Sequence, residues 1–435
     1  MIGRLATLAL LGSAVSIGCR RNARERAAIS AELAARSPVV PSELPPGGTD
    51  TSAASDASVS DGGTVPPRAR CPVRAVPPSC VMQGIPAQDS PSVAWNGGEW
   101  GLAWSEEVAG IPTVYFARVG PDGTRRGGAT RVSETGYRGN SPDLLWTGDR
   151  WAYVFSGGAS RTDEIWFALL DAHGALVSRP HRITGRDRSD YAPSLASDGR
   201  NLIVTWAARW EEHRWGVFAM RLDRWGSQLE LPLLLSERRE RVSTPSALWN
   251  GFAWAAAWLV SRNEAIGVDM SRFEARLETT RGPARRVTPG PLGGSDVSGR
   301  YNFAWDGSRY GLVWDEVRDG APHVFFDTVS RVLNPTRHEV MLSAPGDPAS
   351  APAIVTLAPN AFMVAWETEV SEQRHVQIAT IDAEGRRLGD PIEVQNHDGR
   401  ASLPALALAD DVAGLVTLGM NGIMFHRVML GPCLR

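Results

Sequence analysis

VAWNGGEWGLAWSE occupies Val93–Glu106. Two short tryptophan-bearing apolar runs flank an Asn-Gly-Gly. Asn and Gly both tolerate positive φ, which tight hairpin turns use, so SVAW and WGLAW read as antiparallel strands joined by a turn. The same sentence returns as PDLLWTGDRWAYVF (142–155), PSLASDGRNLIVTW (193–206), PSALWNGFAWAAAW (245–258) and YNFAWDGSRYGLVW (301–314). It persists, more worn, as PAIVTLAPNAFMVAW (352–366) and PALALADDVAGLVT (404–417).

The copies hold phase. They start at Pro91, Pro142, Pro193, Pro245, Tyr301, Pro352 and Pro404, with spacings of 51, 51, 52, 56, 51 and 52 residues. A period of roughly 51 belongs to the range of propellers and solenoids. Each unit continues with a third apolar run, such as TVYFARV (113–119) or GVFAMRL (216–222), then a second turn, such as GPDG (120–123) or DRWG (223–226). A more polar fourth run follows (TRVSE, HRITG, RRVTP, EVMLS, IEVQN). A solenoid rung needs only about 20–30 residues. A sandwich strand alternates apolar and polar, whereas LIVTW, GLVW, FMVAW and WAAAW are apolar on both faces. The pattern predicts an all-β fold: a seven-bladed β-propeller of four-stranded antiparallel blades over residues 71–435.

The last unit (401–435) has only three runs. CVMQG (80–84) precedes Pro91 as TRVSE (130–134) precedes Pro142, so it is expected to complete the last blade and close the ring. The same alignment puts Cys71 and Cys433 at equivalent turns and favours a Cys71–Cys433 disulfide; Cys80–Cys433 and Cys71–Cys80 are the alternatives. Second strands end at Trp104, Phe155, Trp206, Trp258, Trp314, Trp366 and Thr417, a row expected to pack between blades. Asp171, Asp223 and Asp382, at third-strand ends, suit Asx-turns.

Residues 1–19, MIGRLATLALLGSAVSIGC, carry one Arg and an apolar run too short to span a bilayer comfortably, and read as a signal peptide. SIGC (16–19) resembles the bacterial lipobox, departing from it at Ser16 and Ile17. The resemblance implies lipidation of Cys19, with Arg20 after it pointing to the outer membrane; ordinary signal-peptide cleavage, giving a periplasmic or secreted protein, is the alternative. Residues 20–70 are rich in Arg, Ala, Pro, Ser, Thr and Gly and read as a disordered tether.

Charge is near balance, at net −3, which offers no case for nucleic acid. The chain has no Lys, so Schiff-base and P-loop lysine chemistry are excluded. The eight His fall in no metal-ligand spacing, and GxSxG, Walker and sialidase Asp-box patterns are absent, so neither metal nor cofactor is expected. Loops on one propeller face are the candidate binding surface. In AARWEEHRWG (207–216), Trp210 and Trp215 lie outside the regular strand positions, flanked by Arg209 and Arg214. Such rings either stack on a sugar or peptide or lie on neighbouring blades. Tyr191, Asp143 and Arg300, near first-strand starts, and Asp315 are further candidates at the channel mouth.

The repeats are similar in style to bacterial exported propellers, TolB-like and kelch-like rings among them. The resemblance covers 71–435 at the level of architecture and carries over no functional residue. The organisation implies a monomeric, non-catalytic binding or scaffold head for a protein, peptide or glycan, displayed on a membrane. The alternative is a carbohydrate-active enzyme, a glycosidase or lyase drawing carboxylates from Asp143, Asp190, Asp315 and Glu316.

Overall fold

In the computed structural model, residues 73–83, 89–159, 162–185, 188–211, 214–237, 241–262, 265–274, 277, 280, 282–289, 300–370, 373–396 and 399–431 are described. They form seven antiparallel sheets and no helix. In six of the sheets the strands run in chain order from the ring's centre outward; in the seventh the outermost strands come from the N-terminal side of the domain. Blade 1, for example, comprises Ser92–Trp95, Trp100–Val108, Ile111–Val119 and Arg125–Arg131. The inner strands of blades 2 to 7 are Arg138–Trp146, Ser189–Ser197, Arg241–Trp249, Tyr301–Trp305, Ala349–Ala358 and Ser402–Ala409. Each meets the next blade's, and the seventh meets the first, so the sheets form a closed ring.

Closure follows the expected route. Ser79–Gln83 pairs antiparallel with Gly422–Met429, Ser79 opposite Phe425 and Cys80 opposite Met424. A second short strand, Arg74–Ala75, pairs with the same segment opposite Met429 and Val428. Blade 7 is therefore sewn from both ends of the domain. Cys71 and Cys433 lie outside the described residues, as do Cys19 and the tether.

The hairpins differ from expectation in one respect. Trp95 pairs with Trp100, leaving a four-residue loop, Asn96–Glu99. Only Gly97 takes positive φ, at 93°. Asn96 contributes its side chain instead: Oδ1 accepts the Gly98 and Glu99 N–H groups at 2.9 and 2.6 Å. Asp198, Asn250 and Asp306 cap the equivalent loops in the same way. Asp171, Asp223 and Asp382 each accept two turn N–H groups, as Asx-turn chemistry requires.

Outer strands are shorter than the polar runs suggested. In blades 2 to 5 they are two residues long, such as His181–Arg182 and Val340–Met341. A hydroxyl ends each ladder. Thr184, Ser236, Thr288 and Ser343 accept the N–H of Ile165, Val217, Val268 and Val324, at 2.9–3.2 Å, where a further backbone carbonyl would have served.

The core is divided among the junctions. Seven buried hydrophobic clusters occur among the described residues, one between each pair of neighbouring blades. The row from Trp104 to Trp366 is at most 3 % exposed. In four blades it stacks on the aromatic directly across the ladder: Trp104 on Tyr115, Phe155 on Trp166, Trp206 on Phe218, Trp314 on Phe325. A size rule operates one row away. The second-strand residue aligned with Trp100 (Trp151, Leu202, Trp254, Tyr310, Phe362 and Ala413 in blades 2 to 7) lies at the junction with the residue aligned with Gly101 in the preceding blade. A Cβ added at Gly101 would stand 2.6 Å from the Trp151 ring, at Gly311 2.8 Å from Phe362, and at Gly414 2.8 Å from Trp100. Elsewhere Ala152 shares a cluster with Leu202 and Ala255 with Tyr310. Between blades 6 and 7 the sizes are reversed, with Met363 against Ala413. Only Ile203 and Trp254 set two large residues at one junction.

Candidate functional site: the channel mouth

The inner strands run side by side around the axis, so their starts converge at one end of the channel. A cavity of about 590 Å³ lies there, a volume in the range of small-ligand sites. Its wall includes Pro91, Pro142, Pro193, Pro245, Pro352 and Pro404, with Tyr301 at the seventh place. Proline suits a strand edge that has no ladder neighbour, because its missing N–H is not needed there. The residue before it is left-handed in five blades: Ser141, Ala192, Thr244, Ala351 and Leu403 have φ of 43–53°. Each coincides with a slip in register against the second strand. Such conformations cost about 1–2 kcal/mol per residue, and polar side chains hold several of them in place.

Those side chains latch one blade to the next. Asp89 Oδ2 accepts the Ser141 N–H at 2.9 Å, joining blades 1 and 2. Asp143 Oδ1 accepts the Ser92 hydroxyl at 2.7 Å and its neighbour's N–H at 2.9 Å; Oδ2 accepts the Leu195 N–H at 2.8 Å. One carboxylate thus ties blades 1, 2 and 3. The Tyr191 hydroxyl donates to the Val242 carbonyl at 3.2 Å, joining blades 3 and 4. Tyr301 reaches the carbonyls of Thr244 and Ala257 in blade 4 and donates to one at a time. Asp315 accepts the Arg300 N–H at 2.7 Å and the Ala351 N–H at 2.9 Å, joining blades 5 and 6. Glu367 accepts the Leu403 N–H at 3.2 Å, joining blades 6 and 7. Six junctions are therefore fastened at the mouth by a side chain bound to a neighbour's backbone.

Burial dominates the electrostatics. It pushes the Asp143 carboxyl up from its ordinary value, against the opposing effect of its donors. It raises the Tyr191 and Tyr301 phenols. Asp315 is pushed up to about 6 by burial, with Glu367 adding to the rise and its two N–H donors and Arg300 opposing it. Asp190, outside the cavity, is also raised to about 6 by burial; it accepts from the Trp206 indole and Arg188.

A carboxyl raised on folding keeps its proton in the folded state to a higher pH than in the unfolded state. Stability from Asp315 is thus fully present below about pH 4 and lost as pH rises to about 6, by an amount on the order of 3 kcal/mol. Asp315→Asn does not titrate. The wild type's stability advantage over this variant, read from urea midpoints, is expected to shrink by that amount between about pH 4 and pH 7. A constant difference would show that Asp315 does not titrate in this window.

The candidates from the blade 3 loop lie elsewhere. Trp215 faces Arg209 across the hairpin, and its half-buried ring meets Tyr191 edge-on at 6.1 Å. The guanidinium groups of Arg209 and of Arg241 in blade 4 lie over it at 5.1 and 5.7 Å. The ring belongs to the junction between blades 3 and 4. The side chains of Trp210 and Arg214 lie outside the described set. Arg300 and Asp143 line the cavity; Asp315 and Tyr191 are not among its lining residues. Asp89 and Glu367 escape sequence reasoning, though an acid directly after the second-strand Trp, as in Trp314-Asp315 and Trp366-Glu367, was a usable signal. Among the described residues, no group of three or more His, Cys, Asp or Glu is placed to hold a metal ion.

These features define a seven-bladed β-propeller with a polar-latched channel mouth. No protein-family model matches the chain, and no curated protein matches it. Solved structures share its architecture. A Mycobacterium tuberculosis puromycin-hydrolyzing peptidase aligns over 81% of this chain and 53% of its own, at TM-score 0.51 and 14% identity. A prolyl endopeptidase aligns over 82% and 47%, at TM-score 0.46 and 14% identity. A GH43 endo-arabinanase from Bacillus licheniformis aligns over 59% and 100%, at TM-score 0.36 and 11% identity. The chain spans about half the length of the two peptidases, and the likeness concerns the fold alone.

Proposed function

We propose that this protein is a non-catalytic binding head that takes a protein, peptide or glycan at the channel-mouth face. The observation that carries this reading is the employment of the mouth carboxylates. Asp89, Asp143, Asp315 and Glu367 each accept a main-chain N–H from the next blade, Asp143 from Leu195 and the other three from the left-handed bulge residue. Acids committed to holding the ring are poorly placed to exchange protons with a substrate. What remains among the described residues of the mouth is a shaped cavity with hydroxyls, apolar walls and one cation.

The proposal includes the address. The lipobox-like SIGC and the Pro/Ser/Thr-rich stretch after it support a head tethered to the outer membrane through Cys19. The unsubstituted chain should then incorporate labelled palmitate in a Gram-negative host and Cys19→Ala should abolish it; an unlabelled wild-type chain would leave ordinary cleavage and release.

The binding reading is tested by screening the full chain against glycan and peptide arrays. Saturable binding that a mouth substitution such as Asn302→Trp blocks is the expected result. One observation favours the carbohydrate-active alternative: Asp89 and the raised Asp143 line the same cavity. Hydrolysis or elimination on an arrayed glycan, lost in Asp143→Asn while the fold persists, would establish it instead.

A further inference from the structure

Blade 5 breaks the sevenfold pattern at the cavity. Six units place Ser90, Ser141, Ala192, Thr244, Ala351 or Leu403 before a proline, none of them charged. Blade 5 has Arg300 before Tyr301. Its guanidinium reaches the opposite side of the ring, where Nη1 donates to the Ser90 hydroxyl of blade 1 at 3.0 Å. No carboxylate among the described residues forms an ion pair with it. Among the described residues it is the only cationic side chain lining the cavity. Bridging two blades does not need an arginine, since six junctions are latched by Asp, Glu or Tyr.

We infer that the mouth is a receptor for the carboxylate of a peptide, with Arg300 as its anchor; the inference rests on the binding reading above and names its ligand. A guanidinium presents paired donors that match a carboxylate, and only one of them is engaged, by a neutral hydroxyl. The two acids in the wall do not compete for it: the Asp89 oxygen facing blade 2 holds the Ser105 hydroxyl and the Ser141 N–H, and both Asp143 oxygens hold donors. The remaining wall distinguishes peptide from glycan. Val93, Leu144, Leu403 and Leu406 join the prolines, a surface suited to aliphatic side chains. Sugars are gripped by exposed aromatic faces and free carboxylate acceptors. The aromatic ring of the wall, Tyr301, has its hydroxyl committed to blade 4, and the carboxylates are engaged.

The test uses the full chain and pentapeptides of sequence Gly-Ala-Leu-Ala-Glu carrying an uncharged fluorophore that has no carboxylate, with Gln and Lys twins, each with free or amidated C-terminus. Oligogalacturonate is the competing arm. Anisotropy titration should show the peptide with a carboxylate binding about 10- to 100-fold more tightly than the neutral twin, the range of one charge-assisted paired contact. Arg300→Gln should erase that discrimination with an unchanged thermal midpoint, and Arg300→Lys should keep part of it. Equal binding of acid and neutral twins overturns the inference, as does discrimination surviving Arg300→Gln, preference for oligogalacturonate, or binding of no peptide. A ligand from the arrays that binds at the mouth regardless of Arg300 leaves the binding-head reading standing and removes this one.

Discussion

Trp151→Ala is expected to lower unfolding free energy by about 3–5 kcal/mol, the cost of emptying a large aromatic site in a core. Trp151 is fully buried as the first residue of the second strand of blade 2. It lies on the bare backbone of Gly101, with Phe116 and Trp146 at 5.4 and 4.9 Å. The surroundings are strands of two blades fixed by their own ladders, so the hole does not readily collapse. Gly101→Met alone forces a side chain into the ring and is expected to cost about 1–3 kcal/mol or more. The double variant reproduces the reversed sizes of Met363 and Ala413. It should therefore be more stable than the sum of the single effects, a coupling of about 1 kcal/mol or more in a double-mutant cycle. Additive losses in urea denaturation would show that size complementarity between blades is not what these positions provide.

Removing residues 1–83 is expected to have an effect of similar size through a different mechanism. The closing strand buries Val81 at 2 % exposure, and Val73 just before it at 8 %. Its ladder to Gly422–Met429 is supplemented by the Val76 N–H to the Arg427 carbonyl at 2.8 Å. Blade 1 also holds it: Arg125 donates to the Val81 carbonyl at 3.1 Å. Two buried valines at about 1.5–3 kcal/mol each, with several hydrogen bonds near 1 kcal/mol, suggest a loss of roughly 5 kcal/mol. The truncation also leaves Gly422–Met429 as an open strand edge, a template for association. Thermal melts should shift down, light scattering should rise, and a peptide of residues 73–83 added in trans should reverse both. Val81→Asp in the full chain, which buries a charge without deleting anything, should reproduce the lower melt. An unshifted melt in both variants would mean that the ring does not depend on this closure.

The ring and its closure were legible because hairpin chemistry is local and was repeated seven times in phase. Asn96, Asp198, Asn250 and Asp306 announce their loops within four residues of sequence. The outer strands were overestimated because the hydroxyls of Thr184 or Ser343 look like ordinary strand residues until their acceptor role is seen. The latches were invisible for a related reason. Asp315 meets Ala351, 36 residues on, and Asp143 meets Leu195, 52 residues on, so no local pattern records their partners. Trp215 could be read from sequence as ligand platform or junction filler; only the positions of Tyr191, Arg209 and Arg241 around it show how its ring is packed.

The alternation of bulky and bare positions from Gly101–Trp151 round to Gly414–Trp100 makes every blade particular to its two neighbours. Blade 7, for instance, offers alanine to Met363 on one side and glycine to Trp100 on the other. A tandem copy of one unit inserted beside itself would meet a mismatched partner, Trp151 against Ala152 in the case of blade 2. Growth to an eighth member by duplicating blade 2 is thereby penalised in side-chain volume.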